Sequence, residues 1–209
     1  TPRLMNNTII ANFDFIPDIG LTVIAADPII CNLGTTNILV NNSQVNVSYQ
    51  LRNDSDNSPV GLPVTGNGSQ LNLGTGVLTA TTTFNVLATN GVCTPVALTA
   101  PATVTVDQLP DASLSVSAQG DPICENTSTN ILVANSENGY SYQLRNDADN
   151  SNIGTPETGD GNTISLPTGN LLATTTFNVL VTNGVCPSVE LTQLATVNVD
   201  PEPDLTLAV

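Results

Sequence analysis

The chain repeats its own sequence with a period of 93 residues. The segment ATTTFNVLATNGVC at 80–93 returns as ATTTFNVLVTNGVC at 173–186, with Val181 in place of Ala88. When residues 31–111 are aligned with 124–204, no gap is needed and 50 of the 81 positions are identical. A period of this length is too long for a solenoid repeat and suits a whole domain. The sequence therefore predicts two domains in series, each with its own core.

The dipeptide Pro-Asp marks the start of each repeat, at positions 17, 110 and 203. A short apolar alternation follows it each time, as in Leu114 and Val116. The segment TIIANFDFI at 8–16 stands where the last strand of the first repeat stands before Pro110. The predicted organisation has four parts: 1–16, the last strand of a preceding repeat or a donor strand; 17–109, the first repeat; 110–202, the second repeat; and 203–209, the first strand of a following repeat or a donor strand.

Each repeat has the pattern of an all-β domain. Apolar residues alternate with polar ones in several short runs, for example Phe84 with Val86 and Val104 with Val106. No window shows the i, i+3, i+4 apolar spacing of a helix. The runs indicate about seven strands per repeat, which is typical of a two-sheet sandwich of about 100 residues. We therefore predict an all-β fold of two tandem immunoglobulin-like β-sandwich domains.

The largest side chains and one turn motif can be placed in this sandwich. The chain has no tryptophan, so its core is predicted to be aliphatic, with Tyr49, Phe84, Tyr142 and Phe177 as its few large rings. Asn-Gly at 90–91 and 183–184 lies between apolar alternations. That dipeptide favours a type I′ hairpin turn, in which both central residues have positive φ.

The four cysteines occur at equivalent places in the two repeats. Cys31 aligns with Cys124, and Cys93 aligns with Cys186. Four cysteines allow three pairings. We expect Cys31–Cys93 and Cys124–Cys186, because each domain then closes itself. A metal site is the alternative, but two cysteines per repeat without histidine make a poor zinc ligand set. Disulfides persist in oxidising compartments, so an extracellular location is predicted.

The charge of the chain excludes several classes of partner and of chemistry. Its formal net charge is -15, with 18 acidic residues against 3 arginines. This charge repels phosphate backbones and anionic lipids, so neither nucleic acid nor membrane insertion is expected. No apolar run approaches the roughly 18 residues needed to cross a bilayer. Because the chain lacks histidine and lysine, a catalytic acid, base or nucleophile is hard to assemble, and we predict that it is not an enzyme.

An acidic loop recurs in both repeats as NDSDN at 53–57 and NDADN at 146–150. The carboxylates of Asp54, Asp56, Asp147 and Asp149 could offer hard oxygen ligands to calcium. The alternative is a hairpin loop, since asparagine and aspartate tolerate turn geometry. Arg52 and Arg145 adjoin the loops and are expected to pair with these carboxylates. No other cofactor is predicted.

Several segments together resemble a known kind of surface repeat. They are the run SYQLRNDADNSNIGTPETGDGN from Ser141, then TGNLLATTTFNVLVTNGVC from Thr168, with their counterparts in the first repeat. This set resembles the Ig-like repeats of large Bacteroidota cell-surface proteins, including gliding-motility adhesins. The resemblance implies extracellular fibres or stalks that display or perform adhesion, and it carries no catalytic residues.

The two end segments suggest how such a chain associates. Each would be a lone strand with unpaired backbone groups unless it finds a partner. We expect partners in neighbouring copies or adjacent repeats, either along one covalent array or by strand complementation. The predicted strand-exchange residues are Ile9, Ala11, Phe13, Phe15, Leu205, Leu207 and Val209.

Two functions follow from this organisation. The first is a structural component of an extracellular filament or stalk, with copies of itself as partners. The alternative is an adhesin module that binds surface glycans or proteins. Its contact surface would be the loops that differ most between the repeats, at 44–47 and 59–64.

Overall fold

A computed structural model describes residues 15–91 and 93–202. The chain divides into two compact units between Val106 and Asp107, close to the repeat boundary expected at 109/110. Every regular element in the described residues is a β-strand, which confirms the all-β prediction. Among those residues no helix is long and apolar enough to span a membrane.

Two sheets form the first unit. The smaller has the strand order β1-β3-β6, and the larger has the order β2-β9-β7-β4-β5 with β8 beside β7. Their bounds are β1 Val23–Ala25, β2 Ile29–Cys31, β3 Asn37–Val40, β4 Ser48–Asn53, β5 Pro59–Thr65, β6 Leu71–Gly74, β7 Thr82–Thr89, β8 Val96–Ala97 and β9 Ala102–Asp107.

The second unit has the same two main sheets and, in addition, a separate pair of short strands. One sheet has the order β10-β12-β15, the other has the order β14-β13-β16-β17 with β18 beside β16, and β11 pairs in parallel with β19. Their bounds are β10 Val116–Ala118, β11 Ile123–Cys124, β12 Thr127–Val133, β13 Ser141–Asn146, β14 Asn152–Thr158, β15 Ile164–Leu171, β16 Thr175–Thr182, β17 Val189–Glu190, β18 Ala195–Val197 and β19 Val199–Asp200.

The alternation in the sequence explains how each unit buries its core between two sheets. In β13 and β16, Leu144 lies opposite Val179 and Tyr142 lies opposite Val181, and all four side chains are buried. Ile131 from the other sheet belongs to the same core. Residues two apart on a strand share a face, so one apolar alternation per strand is enough to fill the layer between the sheets.

The two strand tyrosines are fully buried and anchor a neighbouring loop. The Tyr142 hydroxyl accepts a hydrogen bond of 2.6 Å from the backbone N–H of Glu137, and Tyr49 accepts one of 2.9 Å from Gln44. Burial raises the pKa of the Tyr142 phenol, and the Glu137 N–H bond opposes that rise only in part. The prediction that these rings pack in the core is correct, and the hydroxyl adds a tether that the strand pattern does not reveal.

Substituting Tyr142→Phe is expected to lower the stability of the second repeat by about 1–2 kcal/mol at neutral pH, because the Glu137 N–H loses its partner. The raised pKa adds a pH dependence. The folded state favours the neutral phenol, so its contribution is complete below the unfolded value of about 10 and declines as pH rises above it. Urea unfolding at several pH values from neutral to alkaline should show a smaller alkaline loss in the variant. An equal loss in both proteins would contradict this role.

A proline marks one edge of the larger sheet in each unit. Pro63 lies in edge strand β5, and Pro156 lies at the equivalent position of edge strand β14. Both are exposed. Proline has no backbone N–H to give to a further strand, so these edges resist lateral pairing with another chain.

Candidate functional site

The bonding of the four cysteines differs from the prediction. Cys31 and Cys186 are disulfide-bonded, whereas Cys93 and Cys124 are free thiols. The predicted pairings Cys31–Cys93 and Cys124–Cys186 are therefore wrong. The prediction of a disulfide-containing chain is correct.

The geometry of the second repeat shows why its two cysteines cannot pair with each other. Cys124 lies in β11, in register with Asp200 of β19. Cys124 therefore lies at the end of the sandwich where β16 begins, because Val199, next to Asp200, donates its N–H to Thr174 Oγ1 at 3.1 Å. Cys186 follows the opposite end of β16. An eight-residue strand spans about 24 Å, at about 3.4 Å per residue, and a disulfide requires Cα atoms within about 7 Å.

The first repeat places its cysteines in the same way. Cys31 ends β2, which lies beside β9. Val106 of β9 donates its N–H to Thr81 Oγ1 at 3.1 Å, at the start of β7. Cys93 comes after the other end of β7. Each repeat therefore carries one cysteine at each end.

An asparagine-based loop holds the second cysteine of each repeat. Asn183 Oδ1 accepts the Cys186 N–H at 2.8 Å, and its Nδ2 donates to the Gln108 carbonyl at 3.1 Å, just before the repeat begins. The Cys186 sulfur lies 3.5 Å from the Asp107 carbonyl oxygen. This end of the unit is thus built from the loop after β16 and the segment that precedes β10.

The equivalent loop of the first repeat uses Asn90 in the same way. Asn90 Oδ1 accepts the Cys93 N–H at 2.9 Å, and Nδ2 donates to the Phe15 carbonyl at 2.6 Å. Gly91 has positive φ, but Asn90 does not. The predicted type I′ turn is therefore wrong: the asparagine side chain closes a longer loop, so its own backbone need not turn left-handed.

The acidic loops are closed by their own side chains. Asp56 Oδ1 accepts the Ser58 N–H at 2.8 Å, and Asp149 accepts the equivalent bond from Ser151 at 2.9 Å. Hydrogen bonds from the hydroxyl and the backbone N–H of Ser58 hold the pKa of Asp56 below its usual value. No group of three or more acidic, cysteine or histidine side chains that could hold a metal occurs in the described ranges. Calcium binding by these loops stays a prediction.

A buried asparagine connects the arginine of each repeat to its loop. Asn178 Oδ1 accepts from Arg145 Nε at 2.8 Å, and its Nδ2 donates to Asp147 at 3.1 Å and to Asn150 at 2.9 Å. Arg145 also forms an ion pair with Glu190. Sequence reasoning expected the arginine to pair with the loop carboxylates, and it missed the intervening asparagine.

Beside each acidic loop lies a shallow hollow of about 380 Å³. Its lining is polar and comes from equivalent residues in the two repeats: Asn53, Asp54, Ser55 and Thr81–Thr83 in the first, and Asn146, Asp147, Ala148 and Thr174–Thr176 in the second. The hollow offers hydrogen-bonding groups, and its titratable lining group is a single aspartate held by an asparagine. That arrangement does not supply the paired acid and base of a hydrolase.

Only one of the predicted strand-exchange residues lies in the described part of the chain. Phe15 has a half-exposed ring and offers its carbonyl to Asn90. It lies outside any strand, in the segment leading into the first repeat. The other predicted residues, Ile9, Ala11, Phe13, Leu205, Leu207 and Val209, lie outside the described residues.

Comparisons with known proteins found one family model and several solved structures. A family model for a domain of unknown function (DUF8696) matches residues 114–201. No curated protein matches the chain. A chain from the mouse coronavirus receptor-binding domain complexed with its murine receptor aligns with 85% of this chain and 96% of its own length, at 11% identity and a TM-score of 0.50.

Two further solved structures are similar over most of their length. Murine CEACAM1b covers 87% of this chain and 99% of its own, at 14% identity and a TM-score of 0.48. Fibronectin(III)-like modules of Clostridium thermocellum CbhA cover 87% and 94%, at 9% identity and a TM-score of 0.41. The strands and sheets of its two units make the chain a tandem of immunoglobulin-like β-sandwich domains, as the sequence predicts.

Proposed function

We propose that the chain is a structural module of an extracellular filament or stalk, in which Ig-like repeats associate end to end. The observation that carries this proposal is the position of the cysteines, one at each end of each repeat. Cysteines that closed each domain would serve only its own stability. Cysteines at the ends of a repeat are placed to link it to the next repeat in a row.

The sides of the repeats support the same arrangement. The net charge of -15 makes copies repel one another, so their association needs a specific contact. Pro63 and Pro156 remove a backbone donor from the edge strands β5 and β14. Lateral association is therefore disfavoured, whereas head-to-tail contact without closure produces an open fibre.

An extracellular location agrees with the chemistry of the chain. Disulfides form and persist in oxidising compartments, and two of the four cysteines are bonded. The resemblance of the SYQL, GxG and TTTFNVL segments to repeats of Bacteroidota surface proteins supports a place at the cell surface. Under this proposal the protein acts by position and length and carries out no catalysis.

Negative-stain electron microscopy of the purified chain in oxidising buffer tests the filament. We expect long uniform fibres about one sandwich thick, and isolated particles would overturn the proposal. A variant that lacks residues 203–209 tests strand complementation separately. Fibres that form equally well without this segment would remove that mechanism and leave the filament in place.

A binding role in an adhesin is the second candidate, and the exposed side chains of the first repeat favour it. Leu62 in β5 is 87% exposed and Val45 is 55% exposed. The equivalent residues of the second repeat are polar, namely Thr155 and Asn138. Val45 lies in segment 44–47 and Leu62 lies in segment 59–64, the two segments that differ most between the repeats. Isolated particles that bind a surface glycan or protein would select this function.

A further inference from the structure

Each free cysteine has a bonded counterpart at the equivalent position of the other repeat. A shift of 93 residues places Cys31 on Cys124 and Cys93 on Cys186. Cys31 and Cys186 are disulfide-bonded, and Cys93 and Cys124 are free. The position after β7 or β16 is therefore bonded in the second repeat and free in the first. The position in β2 or β11 is bonded in the first repeat and free in the second.

The local structure around the free cysteines is the one that accommodates the bond elsewhere. The Cys93 N–H is held by Asn90 Oδ1 at 2.9 Å, and the Cys186 N–H is held by Asn183 Oδ1 at 2.8 Å. Cys93 is half-buried and Cys124 is exposed, so neither thiol is enclosed in its own core. The backbone N–H of Cys93 is therefore held in the same way as that of its bonded counterpart Cys186.

The partner of each free thiol has to come from outside the repeat that carries it. The two cysteine positions of a repeat lie at opposite ends of a strand about 24 Å long, which is beyond the reach of a disulfide. Cys93 occupies the end where its repeat begins, beside the Phe15 segment. Cys124 occupies the end where its repeat finishes, in register with Asp200.

We propose that Cys124 of one copy forms a disulfide with Cys93 of the next, so that the filament is covalently closed at every junction. This inference rests on the end-to-end association proposed above and names its chemistry. Two thiols lose two protons and two electrons to form the S–S bond. A low-molecular-weight disulfide such as oxidised glutathione accepts them and is reduced to two thiols. Because the disulfide joins the Cys124 end of one copy to the Cys93 end of the next, it can repeat along an open filament.

Three variants of the whole chain test the pairing: Cys93→Ser, Cys124→Ser and the double variant. Each is treated with oxidised glutathione at high protein concentration and run on a denaturing gel without reductant. The unchanged protein should give a ladder of oligomers that collapses on reduction. Each single variant should stay monomeric, because it retains only one of the two unlike ends. An equal mixture of the two single variants should stop at a dimer, with a Cys93–Cys124 peptide in its mass spectrum.

Two outcomes would overturn the proposal. One is a dimer formed by either single variant alone, which would show that like ends join. The other is the absence of a ladder in the unchanged protein, although electron microscopy shows fibres. In that case the filament would stand and its junctions would be non-covalent. Serine is close in size to cysteine, and an unchanged thermal melt of the double variant shows that folding is retained.

Discussion

Replacing Gly66 with alanine is expected to cost the first repeat at least about 3 kcal/mol, more than ordinary overpacking. A Cβ atom at Gly66 would lie 2.0 Å from the Gln44 carbonyl oxygen and 2.9 Å from Cε2 of the Tyr49 ring. Neither neighbour can move freely. The Gln44 backbone is tied to the Tyr49 hydroxyl, and the ring is fully buried. Domains of this size are stable by about 5–15 kcal/mol, so the loss is a large fraction of the total.

Gly74→Ala is the matched control in the same repeat. Its Cβ would meet nothing nearer than Asn37 Oδ1 at 3.8 Å, which is an ordinary contact. We expect a change within about 0.5 kcal/mol. Hydrogen exchange measured by mass spectrometry separates the repeats, because the peptides around Phe84 and Phe177 differ in mass at Ala88 and Val181. If the Phe84 peptide were equally protected from hydrogen exchange in both variants, the close contacts at Gly66 would not contribute to the stability of the first repeat.

The period and the alternation in the sequence were enough to predict the fold. Side chains two apart on a strand must share a face, so the runs around Phe84 and Val104 identified strands and their buried sides correctly. The requirement for glycine at position 66 could not be predicted from the sequence. It depends on how closely a loop carbonyl approaches, and that distance is set by a tyrosine seventeen positions earlier in the chain.

The cysteine pairing shows why the candidate site was harder to predict than the fold. Equivalent spacing in two repeats does not distinguish a bond within a repeat from a bond to a neighbour. A signal was present in the sequence: Cys93 comes after the Asn-Gly pair at 90–91 and so lies beyond the strand that ends at Thr89. A cysteine that bridges two sheets would stand within the alternation, at a buried position.

Removing Asn178 is expected to have the second large effect, about 3 kcal/mol for Asn178→Ala in the second repeat. The side chain is 1% exposed and makes three hydrogen bonds, to Arg145, Asp147 and Asn150. Alanine would leave the guanidinium Nε and the loop oxygens without their common partner in a poorly hydrated place. Unfolding in urea, followed by hydrogen exchange of the Phe177 peptide, measures the loss.

Glu190→Ala is the informative comparison, because Glu190 contacts the same guanidinium from the solvent side. The Glu190 side chain is 46% exposed, against 13% for Arg145. An ion pair with so much water around one partner contributes about 0–1 kcal/mol. Its counterpart in the first repeat is Ala97, so that repeat forms the Arg52–Asn85–Asp54 chain without this ion pair. If Glu190→Ala destabilised the repeat as much as Asn178→Ala, the ion pair and not the amide would hold the arginine. We expect the amide to matter more, since it alone joins the strand to the loop in both repeats.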